Sequence, residues 1–195
     1  TNAGETWMNG KVSYAKSRYR LTDDVRLTGK WTPIGAEDHP FSGEFDGDGH
    51  TVYGLTVSEG LDGNAGLFGA IEGGTVENLG VNDARISAEG NAGVIAGVLR
   101  GGQIVRCCTA GTVTLSGEGG NAGGIAGSME QDNGAAVENC YSRADVSGES
   151  GGNQKLGGIV GYLSAGQVTG CYSTGNIAGD KQSYRNLGGI AGFAE

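Results

Sequence analysis

The sequence is poor in proline, in long apolar runs and in basic residues, and each shortage excludes a class of protein. Proline occurs only 2 times in 195 residues, and the 41 glycines follow no Gly-X-Y period, which excludes a collagen helix. No stretch approaches the ~20 apolar residues of a membrane-spanning helix, so we expect no membrane insertion. With 13 basic and 22 acidic residues the formal net charge is −9. Repulsion of phosphates therefore argues against nucleic acid as a partner.

What the sequence has in abundance is one glycine-rich pentapeptide that recurs along the chain. Full copies, of which Gly123-Gly124-Ile125-Ala126-Gly127 is typical, begin at residues 93, 123, 157 and 188. A shorter form, Gly66-Leu67-Phe68-Gly69, precedes them. The closing glycines, at 69, 97, 127, 161 and 192, are 28, 30, 34 and 31 residues apart. A period of this length indicates a repeat architecture.

Each repeat combines the pentapeptide with two further short segments that look like strands. In one repeat these are Val137-Glu138-Asn139-Cys140 and, after a turn, Ala144-Asp145-Val146. Such segments fit strands and are shorter than the ~10–12 residues of a helix. Three short strands in about 30 residues are typical of one coil of a parallel β-helix, an all-β solenoid whose coils stack to bury their inner faces. The main alternative is a β-propeller. Its blades have four strands in about 40 or more residues, and these repeats are shorter than that.

The first 60 residues follow a different pattern from the remainder. Apolar and polar residues alternate at 19–27 and again around Phe41, Phe45 and Val52, which predicts strands, but the pentapeptide is missing there. We therefore predict β-rich N-terminal capping coils at residues 1–60 and a continuous solenoid of repeats at 61–195. The repeat count predicts about six coils.

Positions that recur once per repeat identify the interior of the predicted solenoid. Ile125 recurs as Ile95, Ile159 and Ile190, so we predict a buried isoleucine ladder. The glycines around each isoleucine would permit coil corners and close stacking of the coils.

Three of the four cysteines also recur once per repeat. Cys107, Cys140 and Cys171 occupy the position that is Leu79 in an earlier repeat, and a site that accepts leucine or cysteine is an interior one. We predict a ladder of free buried thiols, with Cys108 facing outward or partly covered. The alternative is disulfides between coils, which extracellular proteins often form but which parallel, in-register side chains seldom permit geometrically.

The pentapeptide followed by Val137-Glu138-Asn139-Cys140-Tyr141-Ser142 resembles the GLUG repeat of bacterial secreted and cell-surface proteins. A second copy, 168–173, has Gly170 in place of asparagine. The segments 31–35 and 41–51 are similar to those found in such proteins, which include filamentous-haemagglutinin-like adhesins and accessory regions of IgA-cleaving metallopeptidases. The resemblance implies a right-handed parallel β-helix that is extracellular or on the bacterial cell surface. It does not imply catalysis, and the His-Glu-x-x-His motif of a metallopeptidase is missing from the sequence.

We predict no metal site, no cofactor and no catalytic residue. Asp46-Gly47-Asp48-Gly49 has a metal-like spacing, but Val57 stands where an EF-hand has its glutamate, so we interpret this stretch as a turn. His39 and His50 are expected in turns or on the surface. The acids of the repeats are scattered rather than paired, whereas glycoside cleavage needs two carboxyl groups together.

Aromatic residues are the candidate ligand-binding residues. Tyr141 and Tyr172 occupy equivalent outward positions in successive coils, and Tyr162 follows a pentapeptide. Outward tyrosines one coil apart would form a short flat strip that stacks on sugar rings or contacts a protein. The alternative is that loops on that face cover them.

These observations predict a non-catalytic bacterial cell-surface or secreted module, a stalk or adhesive scaffold that binds host protein or glycan. The competing hypothesis is a carbohydrate-active enzyme or an accessory glycan-binding domain of the β-helix type. The last repeat stops at Gly192-Phe193-Ala194-Glu195, just after a core strand, and an open coil end exposes unpaired backbone groups. We therefore expect either further domains of the parent chain or end-to-end self-association.

Overall fold

The computed structural model describes residues 8–9, 12–58, 60, 63–131, 133–149, 152–179 and 185–195. A short hairpin and a 3-10 turn at Tyr14–Lys16 precede the stacked strands. The N-terminal strands are β1 (Met8–Asn9), β2 (Val12–Ser13), β3 (Arg18–Arg20), β4 (Val25–Arg26), β5 (Glu44–Asp46), β6 (Thr51–Tyr53) and β7 (Thr56–Val57). Coils 1 and 2 contain β8 (Asn64–Ala65), β9 (Phe68–Glu72), β10 (Thr75–Glu77), β11 (Gly80–Ala88), β12 (Asn91–Gly93), β13 (Ala96–Arg100), β14 (Gln103–Val105) and β15 (Cys108–Leu115).

The remaining strands continue the same order of elements through coils 3, 4 and 5. Coil 3 contains β16 (Asn121–Gly123), β17 (Ala126–Glu130), β18 (Ala136–Glu138) and β19 (Tyr141–Gly148). Coil 4 contains β20 (Gln154–Gly157), β21 (Val160–Leu163), β22 (Gln167–Thr169), β23 (Tyr172–Ser173) and β24 (Ile177–Gly179). Coil 5 contains β25 (Arg185–Gly188) and β26 (Ala191–Ala194). No α-helix occurs in the described part of the chain.

Strands of successive coils pair in parallel and form four sheets, called faces 1 to 4 in the order in which a coil visits them. Face 1 contains β8, β12, β16, β20 and β25, and face 2 contains β9, β13, β17, β21 and β26. Face 3 contains β3, β5, β10, β14, β18 and β22. Face 4 contains β4, β6, β11, β15, β19 and β23, with β7 paired to β11 and β24 paired to β19. The chain is thus a β-solenoid of about five turns of roughly 31 residues, which confirms the predicted fold, although the number of turns is smaller than the six predicted.

The N-terminal strands are rungs of the same sheets. On face 3, β3 pairs in parallel with β5 and β5 with β10, while on face 4 β4 pairs with β6 and β6 with β11. Ile34 and Phe41 bridge to the first strand of face 2 at Phe68 and Ile71. Capping coils at residues 1–60 remain a prediction, and residues 1–7, 10, 11 and 59 lie outside the described part of the chain.

The isoleucine ladder is confirmed. Ile95, Ile125 and Ile159 have no exposed surface, and each amide donates a hydrogen bond to the carbonyl of the next isoleucine at 2.9–3.0 Å. Ile190 ends the ladder and is 39% exposed, because no further described coil covers it.

The closing glycine of each pentapeptide marks the place where face 2 packs onto face 1. A Cβ atom on Gly127 would lie 2.5 Å from the backbone nitrogen of Ala92, a face 1 residue of the preceding coil. Gly97 and Gly161 have the same relation to Ala65 and Ala122, at 2.7 and 2.5 Å. The two faces therefore approach backbone to backbone, and only a residue without a side chain fits between them.

The asparagine of the Val-Glu-Asn-Cys segment marks the corner between faces 3 and 4. Asn78, Arg106, Asn139 and Gly170 occupy this corner in successive coils with φ of 54°, 53°, 53° and 64°. Asparagine and glycine enter this left-handed region at lower cost than other residues, which explains why the repeat uses them here.

The thiol ladder is confirmed as well. All four cysteines are free; Cys107 and Cys140 are buried, while Cys171 and Cys108 are partly covered. Hydrogen bonding to Cys107, supported by burial, raises the pKa of Cys140 to about 12. Hydrogen bonding to Cys140 and burial likewise raise the pKa of Cys171. At neutral pH these two thiols are protonated and behave as small apolar groups, since the thiolate is the reactive form.

Candidate functional site

Two of the three predicted tyrosines meet on face 4. The rings of Tyr141 and Tyr172 are stacked, with centroids 5.3 Å apart and planes within 7° of parallel. Tyr172 is 54% exposed and Tyr141 is half-buried, so loops in the described part of the chain do not cover the pair. In this stack part of each ring face is turned towards the other ring.

Two neighbours complete the surface around these tyrosines. The Arg143 guanidinium carbon lies 5.4 Å from the centre of the Tyr141 ring, within the range of a cation–π contact. Cys108 is the rung before Tyr141, and its hydrogen bond is the main cause that raises the pKa of Tyr141. The Tyr141 phenol therefore stays protonated at neutral pH, and the surface offers hydroxyl groups beside one guanidinium.

Tyr162, the third predicted residue, lies on face 2 and does not join this pair. Its ring contacts Phe193 of the next coil, with centroids 6.0 Å apart and planes tilted by 41°. The ammonium group of Lys155, from face 1, lies 4.5 Å from the Tyr162 ring centre and 5.9 Å from that of Phe193. Side chains from faces 1 and 2 thus meet outside the apolar core, in what we call the 1–2 groove.

An asparagine ladder runs along the face 1 side of the 1–2 groove. Asn64, Asn91 and Asn121 are in register, and Lys155 is the next rung. Asn91 Nδ2 donates to Asn64 Oδ1 at 2.9 Å, and Asn121 Nδ2 donates to Asn91 Oδ1 at 2.7 Å. Sequence reasoning missed this ladder and Lys155. The signal for the ladder was an asparagine two residues before three of the four full pentapeptides and before the short form, at positions 64, 91, 121 and 186.

An ion-pair cluster closes the N-terminal end of the groove. Arg100 donates two hydrogen bonds to Glu37 and one, at 3.2 Å, to Glu130. Asn64 Nδ2 donates to Glu37 at 2.7 Å, and Ser128 Oγ donates to Glu130 at 2.9 Å. Glu37 therefore attaches the N-terminal segment to the ladder and to coil 2.

Replacing Glu37 with glutamine is expected to lower stability at neutral pH by about 1 kcal/mol, since its carboxylate is 38% exposed and solvent screens the pair. The hydrogen bonds from Arg100 hold the pKa of Glu37 below its ordinary 4.5. The contribution is therefore complete above pH 4.5 and is lost as the pH falls through the lowered pKa. Urea unfolding of the wild type and of Glu37→Gln should converge once the pH is below the lowered pKa of Glu37. Exposed Glu89→Gln is the control, and a difference unaffected by acid would contradict the assignment.

The Asp46–Gly49 stretch is a turn, as its glycines indicated. Asp48 and Gly49 have φ of 50° and 83°, and His50 N donates to Gly47 O at 2.8 Å. Asp46 Oδ1 accepts from Asn78 at 3.0 Å, and Asp48 pairs with an arginine at 2.6 Å.

Neither histidine lies in a cluster of metal ligands. The His39 side chain is exposed and that of His50 is half-buried. Within the described ranges no three histidine, cysteine or acidic side chains could hold a metal ion together. The described residues form no helix with the length and apolar character needed to span a bilayer.

Comparisons with known proteins agree with this geometry. The model of the GLUG motif matches residues 152–178. Halomucin of Haloquadratum walsbyi is 31% identical in an alignment of 126 positions, which covers 57% of this chain and 1% of halomucin. A crystal structure of a Bacteroides ovatus protein, provisionally named an immunoglobulin A1 protease, superposes with a TM-score of 0.70 and 24% identity. It covers 91% of this chain and 65% of that protein, and at this identity it shows the fold alone.

Proposed function

We propose that this chain is a non-catalytic module of a bacterial secreted or cell-surface protein, a rigid stalk or adhesive scaffold that binds host glycan or protein on its outer faces. The GLUG motif at 152–178 and the similarity to halomucin support an extracellular module. The chain spans 1% of halomucin, so whatever else halomucin does is not attributed to this module.

The observation that carries the proposal is the exposed pair Tyr141–Tyr172 beside Arg143. Ser142, between Tyr141 and Arg143 in the strand, is buried, and Ala144 packs in the apolar core. The solenoid therefore presents two rings and a guanidinium on a framework that holds them at fixed spacing. Exposed aromatic and arginine side chains are the residues that most often dominate binding energy at protein surfaces.

Several acids of the outer faces already have partners within the chain. Asp145 Oδ1 accepts from Asn176 N and Nδ2 at 2.8 and 3.0 Å, and Glu77 pairs with Arg106. Carboxylates that form hydrogen bonds and ion pairs between coils are typical of a scaffold. Glycoside cleavage instead needs two carboxyl groups, one acid and one base or nucleophile, on either side of the glycosidic bond. An accessory glycan-binding domain would use the same surface as the scaffold, so turnover is what distinguishes an enzyme.

Tyr172→Ala is expected to weaken binding at least about tenfold, because it removes the exposed ring and uncovers Tyr141. The measurement is binding of the purified chain to an array of mucin glycans, glycosaminoglycans and pectins, and to immobilised mucin. Tyr14→Ala is the matched control, because it removes an exposed tyrosine near the N-terminus, more than 100 residues before the pair. This variant should bind like the wild type. Release of shorter products from any polymer on the array would contradict the non-catalytic assignment.

A further inference from the structure

We infer that the 1–2 groove at coils 4 and 5 is a separate site for an acidic sugar unit, carboxylated or sulfated, held by Lys155, Asn121, Tyr162 and Phe193. The inference rests on the proposed function, since it assumes a glycan-binding module. It assigns to the module a second surface and a charge preference that the Tyr141–Tyr172 pair does not provide.

The groove follows from the pentapeptide glycines. Because Gly127 and Gly161 bring face 2 against the face 1 backbone, outward side chains of the two faces converge. Ser128 on face 2 is fully buried, and the next rung in its column is Tyr162, followed by Phe193. The groove thus changes at coil 4 from small, enclosed side chains to partly exposed rings.

The hydrogen bonds of the asparagine ladder all run in one direction, and this leaves one acceptor without a partner at the end of the ladder next to coil 4. The carboxylate of Glu37 can only accept, so the amide nitrogen of Asn64 must face it. Each following asparagine must then donate to the oxygen of the one before it, which fixes the orientation of all three amides. Asn121 Oδ1 at the end of the ladder is buried and has no hydrogen-bond partner. A buried acceptor without a partner costs free energy, which a ligand hydroxyl would recover.

Lys155 provides an unused cation at the same place. It is the rung after Asn121, and its ammonium lies over the rings of Tyr162 and Phe193. No ion pair is found for it among the described residues. The acids beside the groove have other partners: Glu130 accepts from Arg100 and Ser128, and Glu195 accepts from the Tyr162 hydroxyl.

These groups together match the chemistry of a hexuronate. Its carboxylate would draw the Lys155 ammonium into a charge-assisted hydrogen bond, and an adjacent hydroxyl would donate to Asn121 Oδ1. Movement of the ammonium from the rings would free the faces of Tyr162 and Phe193 for the apolar C–H face of the sugar. A sulfated sugar offers the lysine a negative charge as well, whereas a neutral sugar leaves it without an anionic partner.

The test uses titration calorimetry of the whole chain with four probes: trigalacturonate, its neutral analogue galactotriose, and a chondroitin disaccharide in its sulfated and unsulfated forms. We expect at least about tenfold tighter binding of an acidic probe than of galactotriose, weakening with added salt. Lys155→Gln should remove this preference, while Lys155→Arg should retain it. Tighter binding of the sulfated disaccharide than of its unsulfated form, which keeps the uronate carboxylate, would assign sulfate as the anion. Circular dichroism checks that each variant folds.

Other outcomes separate this inference from the proposed function. Equal binding of galactotriose and trigalacturonate, or unchanged binding by Lys155→Gln, would overturn the acidic-sugar site. If glycans on the array still bind and Tyr172→Ala alone abolishes that binding, the module binds glycans on face 4 and the groove site is wrong. If no glycan or mucin binds the wild-type chain, the groove site and the glycan-binding form of the proposed function both fail.

Discussion

Ile125→Asp is expected to lower the free energy of unfolding by about 4 kcal/mol or more, enough to unfold much of the solenoid. Ile125 has no exposed surface and lies between Ile95 and Ile159 in an apolar ladder. An aspartate there loses the apolar contacts and places a carboxyl group where no side chain can pair with it. Thermal and urea unfolding followed by circular dichroism measure the effect.

The same ladder supplies two controls. Ile125→Val removes one methylene and should cost about 1 kcal/mol. Ile190→Asp introduces the same charge into the last rung, where the side chain is already 39% exposed, so its cost should be far smaller than that of Ile125→Asp. An unchanged melting temperature for Ile125→Asp, or equal losses for both aspartates, would show that the ladder is not the core.

Gly127→Ala is expected to cost about 3 kcal/mol or more, although it adds a single methyl group. The new Cβ would lie 2.5 Å from Ala92 N and 2.7 Å from Gly97 O, and neither backbone atom can rotate away. Faces 1 and 2 would have to separate, which stretches hydrogen bonds in two neighbouring coils. The urea midpoint of the variant measures the effect.

Gly119→Ala is the matched control, because a Cβ on Gly119 meets nothing within 4 Å. Its free energy of unfolding should change by no more than about 0.5 kcal/mol, with a small gain from the lower entropy of the unfolded chain. Equal destabilisation by the two alanines would mean that backbone entropy, rather than the close approach of the two faces, explains the pentapeptide glycine.

Contacts within the coil explain why the two halves of the repeat occur together. A Cβ on Gly124 would collide with the Ser142 hydroxyl, and one on Gly158 would meet Ser173 Cβ at 2.6 Å. The second glycine of the pentapeptide therefore faces the serine that follows Cys-Tyr. Thr109 is the residue in register with Ser142 one coil earlier, and its Oγ1 donates to Gly124 O at 2.8 Å between the two coils.

The sequence by itself determined what repeats once per coil. Residues one period apart become neighbours in the same column, so the isoleucine and cysteine ladders, the stacking of Tyr141 on Tyr172 and the left-handed corner can be traced to spacing and residue type. The repeat period and the strand lengths predicted the fold class for the same reason, because a solenoid repeats each local pattern once per coil.

Only the tertiary structure decided which faces meet. The approach of faces 1 and 2 depends on the shape of the coil in cross-section, which no spacing along the chain records. This approach places the Lys155 ammonium over the Tyr162 ring. The carboxylate of Glu37 sets the direction of the hydrogen bonds in the asparagine ladder, which ends at Asn121. The stack at Tyr141, expected to be a flat strip, likewise has its ring planes set by side-chain rotation. Periodicity specifies neighbours along the solenoid axis, and the fold alone specifies neighbours around it.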